Sequence, residues 1–245
     1  MTVGILGLGQ VGKAIEQLCK NHYRVVGRDL TADGFAALAS LDILHVCIPY
    51  SKTFEETVIK TIKDFRPTVT IIDSTVRPGT TQSIFKKTKV NIAHAPILGR
   101  HPVLARYQKI FVKPLGCINN NTYKIVKAHF KKIGVRTTSF SSPLESELAK
   151  ILDTTYYAWN IFFEKWVWDV CHKTGAKFED VYTRFNQIYN LGYAKQLPNV
   201  RRPIMTHQPG PIGGHCIIPN LRILSEWLAD DAFVGFMLNQ NENLG

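Results

Sequence analysis

No apolar run in the chain approaches the roughly 18 residues that a membrane-crossing helix needs. The amino terminus enters a patterned strand at Thr2–Leu6 instead of a signal sequence. The expectation is a cytoplasmic protein with no membrane partner. Paired-cysteine spacing is missing too. The five cysteines, Cys19, Cys47, Cys117, Cys171 and Cys216, are odd in number and widely scattered, so neither a disulfide framework nor a metal site is expected. There is no internal repeat, no low-complexity segment and no basic stripe. The last absence bears on the formal net charge of +11. Its lysines and arginines are interleaved with apolar positions, which argues against nucleic acid and for a field that attracts small anions.

At 245 residues and 45% hydrophobic content, the chain can bury a core in one large domain or two small ones. The apolar stretch Thr2–Leu6 runs into Gly7-Leu8-Gly9-Gln10-Val11-Gly12 and then a helical pattern through Ala14, Ile15, Leu18 and Cys19. Strand, glycine turn and helix in that order suit a dinucleotide. Gly7 makes the tight turn, Gly9 lets backbone meet a pyrophosphate at the helix N-terminus, and Gly12 allows close helix-to-strand packing. A second strand from Arg24 to Gly27 leads to Asp29, about 20 residues on, where an acid can bond a ribose 2'-hydroxyl. That acid favours NAD; Arg28 beside it leaves NADP open, and a helix cap or turn is the other reading of Asp29.

Strand and helix then alternate. Ile43–Ile48 and Thr68–Asp73 read as strands ending at Pro49 and at Ser74-Thr75, with helices over 51–65 and 80–87 and a short strand over 90–93. Lys109–Lys113 and Val135–Phe140 read as added strands around a helix over 122–133. The pattern predicts an α/β fold, a Rossmann-type doubly wound parallel sheet over 1–141. It is followed over 142–245 by a small all-helical domain built on one long helix. Ser142 and Pro143 start that helix, which runs to about Thr174 and spans roughly 45 Å at 1.5 Å per residue. Its aromatics, among them Tyr156, Tyr157, Trp159, Phe163 and Trp166, exceed what one face can hide. Packing in a homodimer along 143–174 and burial inside a helical domain both answer that excess.

Near the other end stands Pro209-Gly210-Pro211-Ile212-Gly213-Gly214-His215-Cys216, a thiol after paired glycines between stiffening prolines. A cysteine so placed is either a small buried hydrophobe or a nucleophile.

Taken in order, these motifs resemble the UDP-glucose/GDP-mannose (nucleotide-sugar) 6-dehydrogenase family. Gly7–Gly12 is similar to its cofactor turn, and Asp73-Ser74-Thr75-Val76-Arg77-Pro78-Gly79-Thr80 to its S-T-x-x-P-G-T segment. Glu147–Lys150 resembles its lysine helix, and Gly213–Cys216 its nucleophile loop. The resemblance implies an NAD-dependent dehydrogenase acting on a CH-OH group. Such an enzyme takes an anionic, sugar-type primary alcohol through an aldehyde held on cysteine, and then a thioester, to the carboxylate. It implies Cys216 as nucleophile, with Lys150 or His215 as the cation beside it, Lys150 as oxyanion stabiliser, and Thr75 bonded to substrate or water. Gln10, Val11, Pro49, Ser74 and Thr75 would line the cofactor site with the glycines, Arg28 and Asp29. Arg100 and His101, with Arg106 and Lys113 nearby, and Lys150, Gly213 and Gly214 would contact substrate.

The departures from the family pattern fall on its acids. Asn220 stands where its aspartate follows the cysteine, Thr154 stands where its asparagine follows the lysine, and His94-Ala95-Pro96-Ile97 lacks its glutamate. An amide accepts no proton, which makes His94, His101, Glu147 and Asp153 the candidate substitutes. Family members carry a further carboxyl-terminal domain gripping the nucleotide, so a short form is expected. Two other functions stay open: a single-step oxidoreductase of the β-hydroxyacid dehydrogenase type, and a nucleotide-binding protein that has lost catalysis.

Overall fold

The computed structural model describes residues 1–214, 216–229 and 231–244. The chain divides into two compact units, Met1–Ile151 and Leu152–Gly245.

The first unit is built on eight strands with helices between them. In chain order they are β1 (Thr2–Leu6), α1 (Gln10–Cys19), β2 (Arg24–Asp29), β3 (Ala32–Asp33), β4 (Ile43–Val46), α2 (Phe54–Phe65) and β5 (Val69–Ile72). There follow α3 (Thr80–Thr88), β6 (Asn91–His94), α4 (Leu104–Ile110), β7 (Lys113–Cys117), α5 (Asn120–Lys132) and β8 (Thr137–Phe140). The sheet order is β3-β2-β1-β4-β5-β6-β7-β8. All pairs are parallel except β2 with β3 and β6 with β7. This is the Rossmann-type sheet that the alternation predicts.

Because both faces are covered, the central strands are almost wholly apolar, and the period of two sorts their side chains into two core layers. Val3, Ile5, Ile43, Val69, Ile71 and Ala93 fall in one layer with Ile15, Leu18, Val126 and Phe130. Leu6, Leu44, Val46, Ile72 and Ile92 fall in the other with Phe54, Val58, Ile62 and Ile84. His45 lies between Leu44 and Val46, and so on the first of these faces.

One expected strand is displaced. Lys109 and Ile110 end helix α4, and the strand begins at Lys113. The β-branched look of Ile110-Phe111-Val112 misleads, since all three are exposed, while Leu104, Ala105 and Gln108 are buried at helical spacing. Pro114 is tolerated in β7 because pairing with β6 involves only Gly116 and Cys117.

The division between units falls within α6 (Pro143–Thr174), a helix of 32 residues. Leu144 N–H donates to Ser142 Oγ at its start. The second unit continues with a π-helical turn (Glu179–Arg184), α7 (Phe185–Tyr193), a 3-10 turn (Pro198–Val200), α8 (Ile217–Leu228) and α9 (Ala232–Asn243). A small cluster of Cys171, Phe178 and Tyr182 with Val167, Ile204 and Met205 packs the turn of the chain after α6. Asp231 caps α9 by accepting from Phe233 and Val234 N–H. No helix among the described residues is long and apolar enough to cross a membrane.

Candidate active site

The glycine turn sits at the carboxyl ends of β1 and β4, where the strand order reverses and ligands bind in sheets of this kind. Two of its glycines are fixed by the chain itself. A Cβ on Gly7, whose φ is +95°, would lie 2.9 Å from the Cys47 carbonyl carbon, and one on Gly12 would lie 1.9 Å from the Gly7 carbonyl oxygen. Gly9 differs, because a Cβ there would meet nothing within 4 Å. Gly9 is the N-cap residue of α1, and no side chain caps that end. Space and a positive helix terminus therefore coincide, with Gln10 and Val11 as the first helical residues.

Asp29 closes the turn from β2. Its carboxylate accepts from Leu8 N–H at 2.6 Å and Leu30 N–H at 2.7 Å. The Leu30 bond first, then the Leu8 bond, hold its carboxyl below the usual range. Arg28 is turned to Asp33 across the β2–β3 hairpin, at 2.8 Å. At the neighbouring strand ends Ser74 Oγ donates to Ile48 O at 2.6 Å, one residue before Pro49, and Thr75 is half-buried.

Two of the expected substitute bases have structural partners. His94 is wholly buried. Its Nε2 donates to Ser74 O at 3.1 Å and its Nδ1 lies 2.8 Å from Ser146 Oγ. Burial pushes its pKa down to about 3, so the ring is neutral. Glu147 is also buried and accepts from Gly79 N–H, Thr81 N–H and Thr81 Oγ1 at 2.6–2.9 Å, which caps α3. Burial raises its pKa against those three bonds. Arg100, His101 and Arg106 lie on an exposed segment. Lys113 does not join them: it is 1% exposed and lies 3.1 Å from Asp73 Oδ1, an ion pair without hydrogen-bond alignment.

In the second unit, Cys216 is the exposed residue at the N-cap of α8. His215 lies outside the described residues. The approach to the cysteine is tied down by long-range bonds. Lys165 Nζ donates to Gln208 O and, at 2.7 Å, to Gly210 O. Ile212 N–H donates to Asn241 Oδ1 at 2.6 Å. His207 stacks on Trp168 with centroids 3.8 Å apart and bonds the buried Glu164 at 2.8 Å. A cavity of about 480 Å³ is lined by Glu164, Lys165, Gln208, Gly213 and Ile217, among others. Gly214, with φ +88°, has open space where a Cβ would stand. Asn220 is buried and its Nδ2 donates to Thr154 Oγ1 at 3.2 Å, so the residues at two of the family's acid and amide positions bond each other. Thr154 follows Lys150 by one turn of α6, and Lys150 is half-buried. Sequence reading missed Lys165, Glu164 and His207; Glu164 and Lys165 carry one signal, a charged pair within an otherwise apolar aromatic stretch, and His207 carries none.

No family model matches the chain. It is 23% identical over 215 residues to the UDP-N-acetyl-D-mannosamine dehydrogenase of Methanococcus maripaludis, covering 85% of this chain and 46% of that protein. The chain thus spans about half the length of this curated relative. In fold it is similar to the UDP-D-ManNAc dehydrogenase of Pyrococcus horikoshii, with a TM-score of 0.78 and 17% identity over all of this chain and 69% of that one. It is also similar to Mycobacterium tuberculosis 3-hydroxyisobutyrate dehydrogenase, with a TM-score of 0.72 and 14% identity over 99% of this chain and 92% of that one. The chain therefore resembles the nucleotide-sugar dehydrogenases in sequence and has the Rossmann-type dehydrogenase fold.

Proposed function

We propose that the protein is an NAD-dependent dehydrogenase that oxidises the primary alcohol of an anionic, sugar-type substrate, with Cys216 carrying a second oxidation. The observation that carries the cofactor reading is Gly9: the chain gives no internal reason for a glycine there, while a pyrophosphate at the α1 terminus does. Asp29, half-buried at the end of β2, suits a ribose hydroxyl, and the engagement of Arg28 with Asp33 favours NAD over NADP. Residues 1–141 hold the dinucleotide and 142–245 serve the substrate.

NAD, when bound, takes up the hydride of each oxidation. The Cys216 sulfur adds to the aldehyde carbon, oxidation of that thiohemiacetal leaves a thioester, and water displaces the sulfur to release carboxylate and thiol. Lys150 stabilises the oxyanions, and Thr75 bonds the substrate hydroxyl or the water. Thr154 and Asn220 position the start of α8. Arg100, His101, Gly213 and Gly214 contact the substrate. The protein works in the cytoplasm as a homodimer through 143–174, on which Tyr156, Tyr157 and Trp166 are 59%, 51% and 60% exposed. Changing Trp166 to Glu should then give a monomer in sedimentation.

A single-step oxidation is favoured by one observation, the near-complete coverage of the 3-hydroxyisobutyrate dehydrogenase. Counting NADH formed per alcohol separates the readings, with UDP-N-acetylmannosamine, UDP-glucose and 3-hydroxyisobutyrate as probes. Two NADH supports the thiol route and one removes it. NAD bound in calorimetry without turnover of any probe would leave a binding protein.

A further inference from the structure

We propose that Cys19, His45 and His129 form a buried site for a thiophilic d10 cation, Zn²⁺ or Cu⁺. The three residues come from α1, β4 and α5 and are 0–3% exposed. One ligand atom from each lies within 4.8 Å of the others. His45 occupies a core position of an otherwise apolar strand, Ile43-Leu44-His45-Val46, where a polar side chain costs stability unless its bonds are met.

The two imidazoles point the same nitrogen at each other, with His45 Nε2 and His129 Nε2 3.0 Å apart. Their outer nitrogens are both held from behind. Asp73 Oδ2 lies 2.6 Å from His45 Nδ1, and Tyr23 OH lies 3.1 Å from His129 Nδ1. Carboxylate or hydroxyl behind an imidazole whose other nitrogen faces inward is the support that metal-binding histidines have. Nitrogens bound tetrahedrally at about 2.0–2.1 Å stand roughly 3.3 Å apart, so the pair needs to open by only a few tenths of an ångström.

Asp73 Oδ2 accepts from His45 Nδ1 at 2.6 Å, which leaves the lone pair of the neutral ring on Nε2. Without a cation His129 Nε2–H must fill that gap, and Tyr23 donates to His129 Nδ1. A cation takes both inward lone pairs. The His129 proton moves to Nδ1, the Tyr23 hydroxyl turns to accept it, and one proton leaves the chain, that of the Cys19 thiol. Cation binding takes the thiolate, so metal uptake releases that proton. Beside the Asp73–Lys113 ion pair, one thiolate neutralises Cu⁺ and leaves Zn²⁺ with a single positive charge. Cys19 belongs to the same buried core layer as Ile15, Ile43 and Phe130, and the site joins α1, β4 and α5.

The test is metal content by mass spectrometry on the full chain, produced separately with zinc and with copper and desalted against chelator. About one equivalent of Zn or Cu is expected in the wild type and in Cys171→Ala, and none in Cys19→Ala. Added Zn²⁺ should raise the wild-type melting temperature by several degrees and leave Cys19→Ala unmoved. Should Cys19→Ala fail to fold, the Co²⁺-loaded wild type decides, by presence or absence of a thiolate-to-cobalt charge-transfer band. No retained metal, equal retention in Cys19→Ala, or a missing band overturns the proposal and leaves a hydrogen-bonded chain from Tyr23 to Asp73.

Discussion

The glycine turn of the first unit and the cysteine loop of the second are both short, glycine-rich approaches to a helix N-terminus, yet they are held in place by different means. The turn is shaped by exclusion: backbone stands where the Cβ atoms of residues 7 and 12 would be. The loop has room at Gly213 and Gly214 and is held by side chains from elsewhere, Lys165 on its carbonyls and Asn241 on Ile212 N–H. A turn shaped by exclusion is written into its own residues. A loop held by attachment depends on positions tens of residues away, and substitutions should separate the two.

The largest effect is expected in the turn. Gly12→Ala places a methyl 1.9 Å from backbone oxygen, so the first unit should lose about 4 kcal/mol or more and NAD binding with it. Gly9→Ala meets nothing and should melt like the wild type while NAD affinity falls at least about tenfold, a change of 1.4 kcal/mol. Calorimetric titration and thermal melts on the pair read this out. Unchanged NAD affinity in Gly9→Ala would mean that no ligand approaches there.

Acid should come next. His94 ties the end of β6 to Ser74 as a neutral ring, with its pKa lowered from 6.5 to about 3. Between those values the unfolded chain binds the extra proton. The His94 contribution is therefore complete above about pH 6.5 and drains away as pH falls towards 3, by on the order of 3–5 kcal/mol. His94→Gln should flatten that part of a pH series of urea midpoints. An unaltered slope would assign the acid sensitivity to other groups.

How far the chain could be read from its residues follows the same contrast. Thr2–Leu6, the glycine turn and α1 are local patterns, and the sheet follows from their repetition. The start of α6 was legible at Ser142-Pro143. The displaced β7 was not, because Ile110, Phe111 and Val112 look like a strand to any local rule and only their exposure shows otherwise. Lys113 reads locally as an anion holder, whereas its burial against Asp73, forty residues away, commits it to the core. Glu147 and His94 looked like spare acid-base groups for the same reason: their partners, Gly79, Thr81 and Ser74, are distant in sequence. Cys19, His45 and His129 share no spacing that would mark them as a group.

The loop offers a smaller effect that can be assigned cleanly. Lys165→Met removes the donor to Gln208 and Gly210 carbonyls, which should cost about 1–3 kcal/mol if those groups stay buried, and less if the loop swings into water. The second outcome has its own signature. Cys216 is the exposed cysteine, Cys117 is half-buried and Cys19, Cys47 and Cys171 are buried, so iodoacetamide labels Cys216 first, and a released loop changes that rate without new sites appearing. An unchanged rate with an unchanged melt would show that Lys165 does not anchor the loop.

The smallest structural change addresses the chemistry. Asn220→Asp keeps size and replaces the Nδ2 that donates to Thr154 Oγ1 at 3.2 Å with a carboxylate oxygen. The new carboxylate is buried, so stability should fall by about 1–3 kcal/mol. The substitution adds a proton acceptor one turn into α8 from Cys216. If hydrolysis of a thioester limits turnover for want of a base there, the ratio of carboxylate to aldehyde should rise severalfold, along with NADH per alcohol. If the ratio holds while the fold is intact, the base is supplied elsewhere or the oxidation ends after one step, and a variant lacking Cys216 would then keep the full rate of the first oxidation.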